Sequence, residues 1–246
     1  KLIGGATEDT YVDDVFSTYL YEGNGAGLSI NNGINLGDFG VGTSTEFDGG
    51  LQLLDKPGGL SGAVAGKTFT FSAWIKPDQT AVSQHLIDLR TSGTSSSFAI
   101  TFSADIGLEG RNSDGTRVLD SYTAAINPIA SGVWNHLLVS VDLATDSVDV
   151  YVNDVNISSS FTKQNINDAI AFAPSGTVLH KVCASTGDPN NIPGLNRFAG
   201  NIAHMYLDFT YRPLNVEANR RLFIDSNGGS TASAPLVALS PILYLP

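Results

Sequence analysis

The groups able to do chemistry in this chain are 24 carboxylates, four histidines, one cysteine and two tryptophans. Spacing decides what each can do. Retaining glycoside hydrolysis needs two carboxyl groups about 5 Å apart across a cleft. The nearest acids in sequence, Asp142, Asp146 and Asp149, lie around a hairpin turn, where Asp is common for turn geometry alone. Asp105 and Glu109 flank a glycine turn and have the same explanation. His85, His136, His180 and His204 are scattered, with no His-Glu-x-x-His to build a metal site and no Gly-x-Ser-x-Gly to build a nucleophile elbow. His136 and His204 fall inside strand patterns and are expected to pack or hydrogen-bond. Cys183 stands alone, which excludes an intrachain disulfide and a thiolate zinc cluster, and it is expected to be a small buried hydrophobe. Gly23-Asn24-Gly25-Ala26-Gly27 contains Gly-x-Gly-x-Gly, but no helical pattern follows it and no Gly-Lys-Ser/Thr is present, so it reads as a turn. No catalytic residue is predicted.

Asp188-Pro189-Asn190-Asn191 is a loop whose oxygens suit a hard cation, although Asp and Asn populate solvated turns just as freely. No metal ligand is assigned. Asn156-Ile157-Ser158 is a glycosylation sequon, meaningful only in a eukaryotic secretory setting. Trp74 and Trp134 have the shape of sugar-stacking platforms but lie beside alternating apolar residues, so core packing is expected of both. Ligand-binding residues are left unassigned.

The elements that must position these groups read as strands. The chain has 246 residues, 42% apolar and 15% charged, which admits one large β domain and excludes the disordered class. Its net charge of -11 disfavours nucleic acid and anionic membrane surfaces. Eight of those eleven units belong to the first 55 residues, where Glu8, Asp9, Asp13, Asp14, Glu22, Asp38, Glu46, Asp48 and Asp55 face Lys1 alone. No run of 18 apolar residues is present and Lys1-Leu2-Ile3-Gly4-Gly5 lacks the apolar stretch of a signal peptide, so no membrane insertion is expected and any export signal is expected to be absent or removed.

Val15 to Tyr21 reads as a strand, Leu28 to Leu36 as a hairpin turning at Asn31-Asn32-Gly33, and Phe47 to Leu53 as a further strand. From Thr68 to Pro77 apolar and polar residues alternate as in a half-buried strand. Leu86–Leu89, Ser97–Phe102 and Arg117–Leu119 follow, then a hairpin joining Trp134–Asp142 to Ser147–Val152, then Phe198–Phe209. One short helix is expected near Asn215 to Phe223, with Asn215 as its cap. The reading divides the chain into an acidic arm or leading strands (1–44), a sandwich (45–225), and a linker with an apolar strand (226–246). That last strand must pair with something or be continued.

Three stretches in order, Phe69–Pro77, Gly132–Leu137 with Tyr151–Asp154, and Phe198–Tyr206, resemble the concanavalin A-like jelly roll of laminin-G and pentraxin domains. The resemblance implies an all-β, antiparallel two-sheet β-sandwich with one short C-terminal helix, often carrying carbohydrate recognition and often a calcium ion. Asp48 matches the family's Phe-Asp-Gly position. Superfamily members that cleave glucans carry acids at alternate strand positions; no Glu-x-Asp-x-x-Glu occurs here, so no enzymatic activity is expected.

Val12–Gly25 with Asn31–Leu36, and Arg220–Asp225 with the stretch to Leu245, resemble the opening and close of jelly-roll proteins in tailed-bacteriophage virions. This implies a structural protein assembled in the host cytoplasm, a reducing compartment that suits a chain without disulfides. Its partners would be other virion proteins, further copies of itself as a homo-oligomer such as a trimer, and a host-surface glycan bound through loops at one sandwich edge. The acidic start and the apolar closing strand would serve attachment. A tail fibre or spike module is favoured by fold analogy, with a capsid decoration protein as the alternative and a secreted calcium-dependent lectin as a third reading.

Overall fold

The computed structural model describes residues 63–90, 96–124, 127–172, 179–182, 197–231, 236 and 238–245; residues 90, 96, 179–182 and 245 are described in backbone only, as are 21–22, 29–31, 35–39, 42–48 and 53–57. Apolar residues at every second position put one face of each extended run toward a core. The strands are β1 (Tyr21–Glu22), β2 (Ser29–Asn31), β3 (Asn35–Phe39), β4 (Gly42–Asp48), β5 (Leu53–Pro57), β6 (Thr68–Pro77), β7 (Gln84–Arg90), β8 (Ser96–Phe102), β9 (Ile106–Arg111), β10 (Arg117–Thr123), β11 (Asn135–Asp142), β12 (Ser147–Val152), β13 (Val155–Asn156), β14 (Phe161–Lys163), β15 (Leu179–Val182), β16 (Ala199–Asp208) and β17 (Leu243–Leu245).

They form two antiparallel sheets. The first runs β1-β17-β16-β6-β11-β12-β13, with β4 also beside β16 and β3 beside β4; the second runs β14-β10-β9-β8-β7-β15-β5-β2. Phe69, Phe71, Ala73 and Ile75 of β6, with Leu137, Val139 and Val141 of β11, meet Phe98, Ile100 and Phe102 of β8 across the interior. Phe69 and Phe172 each pack edge-on against Phe98, at 4.9 and 5.1 Å between ring centres. Burial of each such ring contributes about 2 kcal/mol, and the edge contacts add to it.

The chain after β16 then crosses the outer face of the first sheet. Residues 210–231, called here the strap, bury Leu214 and Phe223, together with Leu236 and with Tyr244 of β17, against Leu138, Tyr151 and Tyr206. This corrects one expectation: β6 is buried on both faces, because Thr70, Ser72 and Trp74 lie beneath the strap. Period-two alternation shows which residues share a face; it does not show what covers that face.

Other expectations change as well. Leu28 to Leu36 is not a hairpin, since β2 pairs with β5 in the second sheet while β3 pairs with β4 in the first. Phe47 to Leu53 is likewise two strand ends, β4 in the first sheet and β5 in the second. Gly and Asn signal a change of direction equally for a tight turn and for a crossing between sheets, so local signals cannot separate the two. Glu109 does not flank a turn but lies within β9, whose buried and half-buried residues alternate strictly. The strand begun by Arg117–Leu119 runs on to Thr123.

The short helix is Glu217–Arg220, and it is capped by the backbone of Val216 with no side-chain bond, so Asn215 is not its cap. Leu214, fully buried, anchors its start instead. Residues 225–230 are a closed turn in which Asp225 Oδ1 accepts from Asn227 and Gly229 N–H. The apolar closing strand finds its partners within the chain: β17 lies between β16 and β1, so its two edges are not available for attachment to neighbours. Among the described residues no helix is long and apolar enough to cross a membrane. The strand expected from Val15 is described only at Tyr21, and Cys183 and the Gly23–Gly27 turn lie outside the described residues.

Candidate functional site

The acids singled out by spacing stabilise the fold. Asp142 accepts from Ala144 N–H and Thr145 Oγ1 in the β11–β12 turn, where Asp146 takes a left-handed conformation (φ 53°). Asp149 accepts from Tyr211 Oη at 3.0 Å and from Leu214 N–H at 3.1 Å, fastening the strap. Asp105 accepts from Ser103 Oγ in the β8–β9 turn. Asp142 and Asp146 thus serve the β11–β12 turn, Asp105 the β8–β9 turn, and Asp149 lies within β12 rather than at a turn. Asn156 of the sequon bonds Tyr151 Oη through Nδ2 and Ser158 N–H through Oδ1.

Two histidines and a tryptophan lie in a polar layer between the first sheet and the strap. Trp74 stacks on His136 with ring centres 4.9 Å apart, and His136 Nε2 shares a hydrogen bond with Ser72 Oγ at 2.8 Å. His136 Nδ1 is buried without a partner. Burial pushes His136 down to about 3, against the pull of the Asp154 carboxylate and with help from His204. His204 Nδ1 shares a 2.8 Å bond with Tyr244 Oη, and burial pushes it down to about 4. Asn153 and Asp154 turn β12 into β13 with φ of 51° and 63°, which aims Asp154 at the strap. There it meets Arg220 Nε at 2.6 Å and Arg221 Nη2 at 2.8 Å. Burial alone would raise the Asp154 carboxyl, but these two guanidinium groups outweigh it and hold the acid below its usual range. As expected, His136 and His204 pack and hydrogen-bond. Trp74 is buried too, though beneath the strap with Ala203 and Ile224 rather than between the sheets, and Trp134 packs beside it. Trp74, His136 and His204 are buried in this layer, while Asp154 and Arg221 at its edge keep about a quarter of their side-chain surface in solvent.

The outer face of the second sheet is different. Paired residues in antiparallel strands point to the same side. Tyr122 pairs with Gly107, Gly107 with Thr101, and Thr101 with His85, a row across four strands. Asp120, Glu109, Ala99 and Asp88 form the neighbouring row, which the backbone register continues to Lys181 and Asp55. Arg117 bridges two half-buried carboxylates, giving Nη1 to Asp120 at 3.0 Å and Nη2 to Glu109 at 3.3 Å. Arg111 reaches Glu109 from the other side at 2.9 Å. Hydrogen bonding to Asp120 holds the Arg117 guanidinium charged, above its usual range. Glu109 and Asp120 are thus joined through Arg117 into an ion-pair ladder.

Gly107 lets the Thr101 side chain lie close against β9: a Cβ there would sit 2.7 Å from Thr101 Oγ1. All four members of the Tyr122 row are half-buried. A half-buried aromatic ring flanked by fixed charged donors and acceptors suits a polyhydroxylated ligand with one apolar face. Spacing alone missed this row. Its signal was the alternation of Ile106 and Leu108 with Gly107 and Glu109, which marks β9 and its outward residues.

The calcium ion that the fold implies was tested against the donor set. Among the described residues no three His, Cys, Asp or Glu side chains converge on a point a cation could occupy. The side chain of Asp48, the loop Asp188–Asn191 and the His180 ring are outside the described residues.

A two-sheet antiparallel sandwich with a strand order that crosses between sheets defines a jelly roll. The chain belongs to the concanavalin A-like lectin/glucanases superfamily, whose laminin-G-like profile matches residues 48–179. No curated protein matches it. Among solved structures it is similar to domain 4 of AbnA, a GH43 extracellular arabinanase from Geobacillus stearothermophilus, in complex with arabinotriose. That likeness has a TM-score of 0.53 and 18% identity over 78% of this chain and 87% of the other. It is also similar to the binding domain of botulinum neurotoxin serotype G, with a TM-score of 0.53 and 9% identity over 84% of this chain and 50% of the other. At these identities the likeness is one of fold.

Proposed function

We propose that this protein is a non-enzymatic glycan-binding jelly roll carried on a tailed-phage particle as a tail fibre or spike module, located in the virion and bound there to other virion proteins as a homo-oligomer. The observation that carries the glycan reading is the Tyr122–Gly107–Thr101–His85 row on the outer face of the second sheet. The arabinotriose held by the AbnA domain of the same fold supports it. A non-enzymatic role is supported by the engagement of Glu109 and Asp120 in ion pairs with Arg111 and Arg117. The virion reading rests on the resemblance of the chain's opening and close to phage jelly rolls.

Two experiments test it. On a glycan array run with and without chelator, Tyr122→Ala is expected to weaken binding about tenfold, the loss of one ring contact, with the melting temperature unchanged. Equal binding by the variant and the wild type removes the site. Immunogold labelling of purified particles is expected to mark tails. Labelling of heads selects the decoration protein instead, and recovery from culture supernatant but never from particles overturns the virion reading.

A further inference from the structure

We infer that the first sheet carries a second saccharide-binding site, formed by Trp134, Lys76 and Asn201 on its outer face beyond the reach of the strap, and suited to a neutral sugar. Burial along the two central strands points to it. Every residue of β16 is buried except Asn201, and every residue of β6 except Lys76 and, at its start, Thr68. Asn201 and Lys76 are paired with each other across the two strands. Thr70, Ser72 and Trp74 point outward from β6, so Lys76, two residues further on, does the same, and Asn201 shares its side by register. Gly200 lets the backbone of β16 lie against the Lys76 carbonyl, which fixes the spacing of the pair.

Trp134 borders the pair. Asn135 pairs with Ile75, so the residue before it comes level with Lys76. Its ring packs against the cluster of Trp74, Ala203 and Ile224, which sets it on the outer face, and it stays half-buried beside Val133, 52% exposed. Deeper in the same face each polar group has its partner. Thr70 Oγ1 donates to Thr210 O at 2.6 Å and shares a 3.0 Å bond with Ser140 Oγ, and Ser72 Oγ shares a 2.8 Å bond with His136 Nε2. Among the described residues the side chains of Lys76 and Asn201 make no hydrogen bond or ion pair, although both are half-buried. An ammonium and an amide left open beside an aromatic ring are groups that a ligand's hydroxyls complete.

The surrounding charges set the class of ligand. Asp78, exposed, follows Lys76 on the same side, and register places Glu46 and Asp48 of β4 beside Asn201 and Ala199, so one ammonium stands among three acidic residues. That balance disfavours an anion. Lys76 offers donors, Asn201 both donors and an acceptor, and Trp134 an apolar surface, which together match the hydroxyls and the C–H face of a neutral pyranose. The site is on the sheet opposite the Tyr122 row and does not depend on it. Two sites on one chain would raise its avidity for a repeating surface polymer.

Indole NMR on the full chain with isotope-labelled tryptophan tests this, because the chain has two tryptophans and Trp134→Phe assigns their Nε1–H signals. At least one of galactose, glucose and mannose, added to ~50 mM, is expected to move the Trp134 signal saturably and that of Trp74, 5% exposed, much less. Lys76→Gln and Asn201→Ala are each expected to weaken this response about tenfold with the melting temperature unchanged. Tyr122→Ala is expected to leave it as it was, and galacturonate to bind more weakly than galactose. A Trp134 signal that no probe moves, a response unchanged in either Lys76→Gln or Asn201→Ala, one lost in Tyr122→Ala, or tighter binding of galacturonate than of galactose overturns the inference. Array binding that still depends on Tyr122 would leave the other site standing, so the two readings fail separately.

Discussion

Replacement of Gly200 by alanine is expected to destabilise the protein by about 3–5 kcal/mol and to lower its melting temperature by roughly 10 °C or more. Two separate effects add. Gly200 has φ of 134°, a conformation that side-chain-bearing residues rarely adopt, and a Cβ there would stand 2.1 Å from Lys76 O and 2.8 Å from Pro77 Cα. Both contacts are backbone of β6, so neither can turn aside; β16 would have to separate from β6 where Gly200 pairs with Pro77. Gly115, in the β9–β10 turn, separates the effects. Its φ is 81° but nothing lies within 4 Å of its would-be Cβ. Gly115→Ala therefore reports conformational strain alone and is expected to cost about 1 kcal/mol. Thermal melts of the two variants check the prediction, and equal losses would show that the crossing of β16 over β6 is looser than described.

Asp208→Ala is expected to cost about 3–5 kcal/mol, which is more than removing Arg212 with it costs. Asp208 is 5% exposed at the end of β16. It accepts from Tyr206 Oη at 2.7 Å, from Arg212 Nη1 and Nη2 at 2.7 Å each, and from Thr210 N–H at 3.2 Å. Burial, reinforced by the Asp208 charge, pushes the Tyr206 hydroxyl well above its ordinary range, so this phenol stays a donor at any working pH. Without the carboxylate the Arg212 guanidinium, 13% exposed, is left beneath the strap as an unpaired charge. Asp208→Leu combined with Arg212→Met removes both charges and is expected to recover most of the loss. Denaturant melts of the single and double variants give the coupling directly. An Asp208→Ala variant of wild-type stability would mean that the strap is not fastened at this point.

Much of the fold was legible because burial repeats every two residues. Phe69 to Ile75, Val139 to Val141 and Val148 to Val152 each announced a strand, and Asn153-Asp154 announced the turn that aims Asp154. The hairpin β11–β12 and the jelly-roll class followed from these. The partners of the leading strands did not, since Asn31-Asn32-Gly33 and Gly49-Gly50 read alike whether the chain folds back or crosses to the other sheet. The Tyr122 row was hidden for a similar reason: its four members come from four strands and become neighbours only through register.

By itself the sequence determined that the chain is an antiparallel sandwich and that His136 and His204 lie within strands. Those are local properties, written in residues a few positions apart. Only the tertiary structure decided which outer face is open. The strap closes the first sheet and turns its polar residues into a buried layer, whereas the second sheet keeps Tyr122, Glu109 and Arg117 at the surface. That choice depends on contacts such as Asp149 with Leu214 and His204 with Tyr244, 65 and 40 residues apart, which no local pattern encodes.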